Sequence, residues 1–366
     1  MDHIFDVTGF GALGDGKTDC TKAIQKALDL AGEDGGVVFI PPGNYLCGML
    51  TVPRGVSLTG YPAWSFRKNG SSILTLNDPD CPCLLDISKA VGCTVKGLCL
   101  AGGKLGRGIH GIMVTHSDYN GAGEEDTPTI EDCRVDGFSG DGIHLNCIWC
   151  FSIRHSMLCF NEGHGLYING WDGFILDNWM SGNAGAGICA DKVAASVTMT
   201  GNRVEWNRLA GFSFRNSNTL NINGNYFDRS GGPALSLSAE PGKSTDTITV
   251  TGNIFNRSGA GDFAEKGPED ELDNCHIRIQ RCVNTVITSN SFRVGMNDGG
   301  TGPKSPVYGI VFRHLRGCVI KDNAMLCGSL ISNLLDLGEH EDSVIVKDNA
   351  GDECEHTKIF WPALAK

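Results

Sequence analysis

Short runs of alternating apolar and polar residues recur along most of the chain, and each is followed by a turn rich in Gly or Asn. Six of these runs align in register with a period of about 22 to 28 residues. They are TIEDCRVDGFSGDGIHLN, FSIRHSMLCFNEGHGLYIN, FILDNWMSGNAGAGICAD, SVTMTGNRVEWNRLAGFSFR, TLNINGNYFDRSGGPALSLS and TITVTGNIFNRSGAGDF. Alternation of this kind is typical of half-buried β-strands. The repeat predicts one coil of short strands and tight turns for each run.

Two columns of this register hold the same kind of side chain in successive coils. One column is asparagine: Asn178, Asn202, Asn225, Asn253, Asn290, Asn323 and Asn349. The position two residues later is apolar: Leu158, Met180, Val204, Phe227, Phe255 and Phe292. Stacked amides satisfy backbone groups at a bend, and stacked apolar side chains fill the inside of a coil. The sequence therefore predicts an all-β fold, a right-handed parallel β-helix solenoid.

A helical pattern precedes the coils. Ile24, Ala27, Leu28 and Ala31 follow the i, i+3, i+4, i+7 spacing of an amphipathic α-helix that would cap the first coil. Asp19 is the predicted N-cap and Gly32 the predicted C′ residue. We predict one domain over 1–366. It comprises a cap over about 1–35, coils over about 36–360 and insertions near 239–246, 261–275 and 294–308.

The segment FDVTGFGALGDGKTDCTKAIQKALDLAGEDGGVVFIPPGNY resembles the start of the pectate-lyase-like superfamily, which includes polygalacturonases, inulin fructotransferases and phage tailspikes. Three other stretches are similar to inulin fructotransferases of glycoside hydrolase family 91: GVSLTGYPAWSFRKNGSSIL, GLCLAGG with HGIMV, and VYGIVFRHLRGCVIKDN. This resemblance implies a homotrimer with carboxylate-lined pockets between subunits. It also implies metal-independent conversion of terminal fructose units into a difructose anhydride.

Composition and charge disfavour several classes of binding partner. The 366 residues include 50 Gly, and the formal net charge of -12 disfavours nucleic acid as a partner and, more weakly, acidic polymers such as pectin. The chain has no signal-peptide pattern and no run of about 18 apolar residues, so we expect a cytoplasmic protein without a membrane partner. The 16 cysteines include CPC at Cys81 and Cys83 and CIWC at Cys147 and Cys150. No second motif completes a zinc site, and we predict neither a metal nor a cofactor.

Two motifs resemble known functional sites, but each agrees better with a turn of the repeat than with the complete site. GALGDGKT, residues 11–18, satisfies the P-loop pattern, but the βαβ context is missing and a tight turn is favoured. Polygalacturonases of family 28 carry Asn-x-Asp, Asp-Asp and Gly-His-Gly on successive coils. Here Asp141 is in register with His164, but Gly142 stands at the second Asp position. Asp141 and His164 are therefore either a polar turn or part of a binding surface.

A carboxylate pair is the stronger candidate for catalysis. Glu205 and Asp228 occupy one outward column, in which Asp136 stands three coils earlier. Because adjacent coils are about 4.8 Å apart, the two carboxylates would lie near the spacing of about 5 Å used by retaining glycosidases. Charges that close should separate their pKa values, leaving one acid and one nucleophile or base.

The residues around this pair suit a sugar site. Trp206 offers a flat face, and Arg203 and Arg229 can bind hydroxyls or neutralise the carboxylates. Trp149 and Trp171 stand in nearby turns, and Asp191 with Arg215 would form either the opposite wall of a groove or another salt bridge. The alternative is that Glu205–Arg229 and Asp228–Arg257 are ordinary salt bridges between coils.

The first hypothesis is thus a metal-independent glycoside hydrolase or intramolecular fructosyl transferase acting on a neutral oligo- or polysaccharide through Glu205 and Asp228. The second is a polygalacturonase or polysaccharide lyase acting on a pectin-like substrate. The third is a carbohydrate-binding or tailspike-like β-helix without catalysis.

Overall fold

The computed structural model describes residues 3–62, 64–117, 124–261, 267–299 and 303–352. Its residues group into two compact units, Met1–Trp179 and Met180–Lys366. We call them the N-terminal and the C-terminal unit and describe each by itself. The predicted single domain over 1–366 stays a prediction.

The strands are short and follow one another closely. The first seventeen are β1 (Ile4–Asp6), β2 (Asp15–Asp19), β3 (Gly36–Phe39), β4 (Gly43–Cys47), β5 (Leu50–Thr51), β6 (Val56–Thr59), β7 (Ser72–Leu76), β8 (Cys83–Asp86), β9 (Thr94–Lys96), β10 (Cys99–Ala101), β11 (His110–Thr115), β12 (Thr129–Glu131), β13 (Arg134–Asp136), β14 (Ile143–Arg154), β15 (Met157–Cys159), β16 (Leu166–Leu176) and β17 (Trp179–Ser181). Sixteen more belong to the C-terminal unit: β18 (Ile188–Ala190), β19 (Ala194–Thr200), β20 (Arg203–Glu205), β21 (Phe212–Arg215), β22 (Asn218–Asn223), β23 (Tyr226–Asp228), β24 (Leu235–Ser238), β25 (Thr245–Thr251), β26 (Ile254–Asn256), β27 (Cys275–Gln280), β28 (Cys282–Thr288), β29 (Ser291–Arg293), β30 (Tyr308–Arg313), β31 (Val319–Lys321), β32 (Ser332–Asp336) and β33 (Ile345–Lys347).

Each strand pairs in parallel with the strand one coil away. In the N-terminal unit β10, β13 and β15 pair in this way, as do β8, β11 and β14 on the other sheet. In the C-terminal unit β20, β23, β26 and β29 form one run of pairs, and β21, β24, β27 and β30 form another. This pattern confirms the predicted parallel β-helix.

The α-helix α1 spans Thr21–Asp34 and buries Ile24, Ala27, Leu28 and Ala31, as the spacing predicted. Both predicted helix ends were wrong. The N-cap position is Cys20, which makes no side-chain capping hydrogen bond, while Asp19 one residue earlier accepts the backbone N–H of Thr21 through its Oδ1 atom at 2.9 Å. Gly32 lies inside the helix, where a Cβ atom would come within 2.8 Å of Pro53, and Gly35 with φ 79° follows the last turn.

The P-loop-like segment does not cradle a phosphate. Its second half forms β2, and the Oδ1 atom of Asp15 accepts the backbone N–H groups of Lys17 and Thr18 at 2.8 Å each. These hydrogen bonds hold the pKa of Asp15 below its ordinary value. Two of the backbone donors that a phosphate would need are therefore already bound by a carboxylate, in agreement with the tight-turn interpretation.

The asparagine ladder is present in the C-terminal unit. The Oδ1 atom of Asn253 accepts from the backbone N and the Nδ2 of Asn225, at 2.9 and 3.0 Å. The Nδ2 of Asn253 in turn donates to Asn290 Oδ1 at 3.0 Å and to the carbonyl of Ile222 at 3.0 Å. The same pattern continues through Asn323 to Asn349. Each amide thus serves its own coil and the next one.

Replacing Asn253 by Ala is expected to lower the free energy of unfolding by about 1–3 kcal/mol, because buried donors and acceptors lose their partner. The side chain is 1% exposed. The exposed Asn221 to Ala change serves as the matched control, with an expected effect within about 0.5 kcal/mol. Urea unfolding of both variants measures the difference, and equal stabilities would show that the ladder is not stabilising.

A histidine lies inside the apolar stack. Phe227, Phe255 and Phe292 stack with ring centroids 5.1 and 5.0 Å apart, as predicted. His276 is fully buried beside Phe255 and Phe292, at 6.4 and 5.8 Å between centroids. Within the described residues, neither of its ring nitrogens has a partner in hydrogen-bond geometry. Burial lowers the pKa of His276 to about 3, and backbone groups of Gly328 and Arg293 offset only part of that.

His276 makes the fold sensitive to acid. The pKa of the folded state lies below the ordinary value of 6.5, so protons bind preferentially to the unfolded chain as pH falls from 6.5 towards 3. Its contribution to the slope of unfolding free energy against pH approaches about 1.4 kcal/mol per unit in this window. We expect His276→Leu to reduce that slope, and the exposed-site change Asn221→Ala, which alters no titratable group, to leave it unchanged. Denaturant titrations between pH 7 and pH 4.5 measure it, and an unchanged slope in His276→Leu contradicts the prediction.

Many coils carry a buried cysteine. Cys47, Cys83, Cys133 and Cys282 are fully buried free thiols, and burial raises the pKa of each. They pack as small apolar side chains. Within the described residues, no helix has the length and apolar character that a membrane span requires.

Candidate functional site

Five side chains of the N-terminal unit converge where three coils begin their strands. His110 opens β11, His144 lies on β14 and Tyr167 lies on β16. Asp141 and His164 stand in the Gly-flanked turns that lead into β14 and β16. We call these five residues the histidine–aspartate cluster. The turn must be glycine-flanked, because a Cβ atom on Gly163 would lie 2.4 Å from the Oδ1 atom of Asp141.

Asp141 organises the cluster. Its Oδ2 atom lies 2.8 Å from His144 Nδ1, and its Oδ1 atom accepts the backbone N–H of His164 at 2.7 Å. Burial by itself raises the pKa of Asp141, but these hydrogen bonds outweigh it and hold the pKa below the ordinary value. An ionised carboxylate only accepts, so His144 must donate from Nδ1. The Nε2 atom of His144 is then the one that accepts a proton.

His110 has the complementary tautomer. Its Nδ1 atom accepts the backbone N–H of Asp141 at 2.9 Å, which places the ring proton on Nε2. Burial, followed by the neighbouring His144, lowers the pKa of His110 to about 4. His110 is therefore a neutral donor at neutral pH.

The rings form a stack that is open to solvent on one side. His144 lies between His110 and Tyr167, with centroids at 4.2 and 4.6 Å and interplanar angles of 28° and 8°. The side chain of His144 is 23% exposed. His164 is farther from Tyr167, at 6.4 Å between centroids. The cluster thus combines an oriented base, a neutral N–H donor and a phenol, which are the groups used for general acid–base catalysis.

His110, Asp141 and His144 are also the one set among the described residues whose ligand atoms could hold a metal ion, since these atoms lie within 4.8 Å of one another. The donor chemistry suits zinc or another transition metal. However, the Nδ1 atoms of both histidines already make hydrogen bonds to Asp141. A metal bound through those atoms would replace both bonds.

We therefore expect acid–base turnover at the histidine–aspartate cluster to persist after dialysis against EDTA. The hydrogen bonds to Asp141 orient both rings without an ion. Turnover before and after dialysis measures this, with and without added zinc or calcium. Loss of activity on dialysis, restored by one of the two cations, would contradict the expectation.

The predicted carboxylate pair lies in the C-terminal unit and is buried. Glu205 and Asp228 are register partners on β20 and β23, as expected, but they are only 4% and 1% exposed. Arg203 Nε lies 2.9 Å from Glu205 Oε2. Asp228 is bound by Arg229 and by Arg257, whose Nε is 2.7 Å from Asp228 Oδ1.

Further contacts close this arginine–carboxylate network, which comprises Arg203, Glu205, Asp228, Arg229 and Arg257. Arg229 also contacts Asp298 and lies 4.7 Å from the ring centroid of Trp206. Arg257 donates to the carbonyl of Met296 at 3.0 Å. Burial raises the pKa of Asp228, and the salt bridges from Arg257 and Arg229 oppose that rise. Of the two salt bridges in the structural alternative, Asp228–Arg257 is present, whereas Glu205 pairs with Arg203 and Arg229 pairs with Asp228 and Asp298.

The predicted substrate-binding residues fall in different places. The prediction that Trp149 and Trp171 stand in turns was wrong, because they are register partners inside β14 and β16, and Trp149 Nε1 donates to Asp172 at 2.8 Å. In the C-terminal unit, Asp191 follows β18 and is exposed, while Arg215 Nε lies 3.9 Å from Glu240. The binding role of all these residues stays a prediction.

Sequence reasoning placed Asp141 beside His164 but missed His110, His144 and Tyr167. A signal was available, because a histidine recurs in the turn or early strand of consecutive coils, in GRGIHGI, GDGIHLN and GHGLYIN. Comparing these turns for recurring ionisable residues, instead of for one family motif, would have brought them together.

Comparison with known proteins agrees with the architecture. Residues 4–74 match the family model described as Rhamnogalacturonase A/epimerase, pectate lyase-like, and residues 141–301 match that of the right-handed β-helix region. Both matches agree with the right-handed parallel β-helix fold that the strands form.

Individual relatives are carbohydrate-active enzymes. The A-module of mannuronan C-5 epimerase AlgE4 from Azotobacter vinelandii is similar at a TM-score of 0.69 and 19% identity, over 94% of this chain and 97% of the module. A DFA-IIIase from Arthrobacter chlorophenolicus A6 is similar at 0.64 and 17%, over 96% and 90%. In sequence, mannuronan C5-epimerase AlgE3 from Azotobacter vinelandii is 43% identical over 65 residues, which are 15% of this chain and 4% of that protein. The structural likeness at these identities establishes the fold.

Proposed function

We propose that this protein is a carbohydrate-active enzyme that abstracts a proton from a uronic acid residue of a polysaccharide, leading to elimination or epimerisation. His144 Nε2 takes the proton from the carbon next to the carboxylate. The observation that carries this proposal is the 2.8 Å contact between Asp141 and His144 Nδ1, because it fixes His144 as a base.

The composition of the cluster favours proton transfer over glycoside hydrolysis. Hydrolysis uses two carboxylic groups facing one sugar. The histidine–aspartate cluster has one carboxylate, and both of its oxygens are occupied by His144 and by the His164 backbone. The cluster instead offers the Tyr167 hydroxyl as an acid and His110 Nε2–H as a neutral hydrogen-bond donor to the substrate. The Tyr167 hydroxyl can protonate the leaving oxygen in elimination or return a proton to carbon in epimerisation.

The substrate class draws support from two sources. The named relatives include epimerases of mannuronan, a polymer of uronic acid. Arg107 is exposed and lies three residues before His110, so the loop before β11 offers a cation to a uronate carboxylate despite the net charge of -12.

The test is incubation with polymannuronate and with polygalacturonate in D₂O. Elimination is detected by ultraviolet absorbance of unsaturated uronates, and epimerisation by NMR, through deuterium incorporated at the reacting carbon. Either product supports the proposal. Turnover of neutral glycans alone, without deuterium exchange, overturns it.

The second candidate function is a hydrolase or intramolecular fructosyl transferase for neutral sugars. Two observations favour it: Glu205 and Asp228 are register partners, and burial raises the pKa of Asp228. The likeness to DFA-IIIase supports the same candidate. Inulin and difructose anhydride III are the substrates to assay, with products separated by chromatography. The homotrimer that the resemblance implies stays a prediction.

A further inference from the structure

A cleft of about 400 Å³ lies in the C-terminal unit, apart from the arginine–carboxylate network. Ser213 on β21 and Ser236 on β24 form its floor, and Leu209, Pro233 and Pro268 supply apolar walls. Leu209 is 53% exposed, so its apolar side chain is accessible to a ligand in the cleft. Neither the repeat nor the proposed acid–base chemistry accounts for this cleft.

The floor presents two hydroxyl groups side by side. Ser213 and Ser236 are register partners on adjacent parallel strands, so their side chains are about 4.8 Å apart along the sheet. Both are half-buried. In the part of the chain that the structure describes, neither hydroxyl makes a hydrogen bond to protein. Each is therefore available as a donor and an acceptor.

Ion pairs hold the segment that covers the cleft, which we call its roof, to the strand beside the two serines. Residues 267–274 include a short 3-10 helix, Glu271–Asp273, with Asp270 as its N-cap. Arg278 is the register neighbour of Ser236, and its Nη1 atom lies 2.7 Å from Asp270 and 2.6 Å from Asp273. These ion pairs hold the roof over the two serines, and because one arginine faces two aspartates, the roof keeps a negative charge that disfavours an acidic ligand.

We propose that this cleft binds a neutral sugar residue of a glycan. Adjacent serine hydroxyls match neighbouring hydroxyls of a pyranose or furanose ring, while Leu209 and Pro268 contact its C–H face. The remaining lining charges are Arg208 and Glu269, which are of opposite sign. A neutral ligand is therefore preferred over a uronate. This site is additional to the proposed function, and its binding does not require the histidine–aspartate cluster.

The experiment is isothermal titration calorimetry of the full chain with cellotriose, maltotriose and 1-kestose, and with trigalacturonate as the acidic probe. We expect at least one neutral trisaccharide to bind, and to bind more tightly than trigalacturonate. The double variant Ser213→Val, Ser236→Val removes both hydroxyls with side chains that favour strands, and should weaken binding about tenfold or more. Ser291→Val, an exposed strand serine of the same unit, is the control and should bind like the wild type.

Binding that is unchanged in the double variant, or no binding of any neutral trisaccharide, overturns the proposal. The variant His144→Asn is expected to retain this binding. Failure of the sugar site is thus distinguished from failure of the proposed catalytic chemistry, which is read by polyuronate turnover.

Discussion

The variant His144→Asn is expected to turn over its polyuronate substrate about 10²- to 10⁴-fold more slowly than the wild type, the range typical of a lost general base. The Asn side-chain amide can still donate to Asp141, in place of the Nδ1 atom at 2.8 Å. It has no atom equivalent to Nε2. The change therefore removes the proton acceptor and keeps the hydrogen bond that organises the turn.

Initial rates under saturating and subsaturating substrate measure the effect on kcat and on kcat/KM. His155 provides the matched control, because it also contacts an aspartate, Asp132 at 2.6 Å, but its side chain is 69% exposed and lies outside the cluster. His155→Asn should keep wild-type rates. Wild-type turnover in His144→Asn, with the fold intact by circular dichroism, would exclude His144 as the base.

The variant Asp228→Asn is expected to lower the free energy of unfolding by about 3–5 kcal/mol, because it leaves buried arginines without a full counter-charge. Asp228 is 1% exposed and touches both Arg229 and Arg257, whose side chains are only 13% and 15% exposed. This loss is what a structural network predicts. If Asp228 were a catalytic acid, Asp228→Asn should instead leave the free energy of unfolding unchanged or raise it, because removal of a strained active-site group often does so.

Asp298 gives the control for this experiment. It contacts the same two arginines, but its side chain is 50% exposed. Asp298→Asn should cost only about 0.2–1 kcal/mol, as expected of an exposed ion pair. Denaturant unfolding, run beside assays on inulin and difructose anhydride III, compares the two variants. A stable Asp228→Asn protein that has lost activity on a neutral sugar would restore the paired-carboxylate hypothesis.

The coils were predictable because their signals repeat at a fixed place in each turn of the solenoid. The ladder at Asn225 and Asn253 and the stack at Phe227 and Phe255 recur with the period of the sequence repeat. The helix ends were less predictable, since Cys20 makes no side-chain capping hydrogen bond and Gly32 is needed for contact with Pro53.

The candidate sites were harder to predict, because they depend on contacts at different offsets within the coil. His110 stacks on His144, although the register partner of His144 is Met113, so an alignment in register does not bring the two rings together. The burial of Asp228 likewise depends on Arg257, which is in turn held by the carbonyl of Met296 in an insertion. A repeat pattern carries no information about how an insertion folds back.

The reactivity of the buried thiols measures local unfolding of the coils that contain them. Cys47, Cys83, Cys133 and Cys282 belong to different coils, and none can react with an alkylating reagent while its coil is closed. Pulsed alkylation followed by mass spectrometry would therefore time the opening of each coil separately, without introducing a probe. Such a record would show whether the solenoid frays from its ends or opens first at an internal coil.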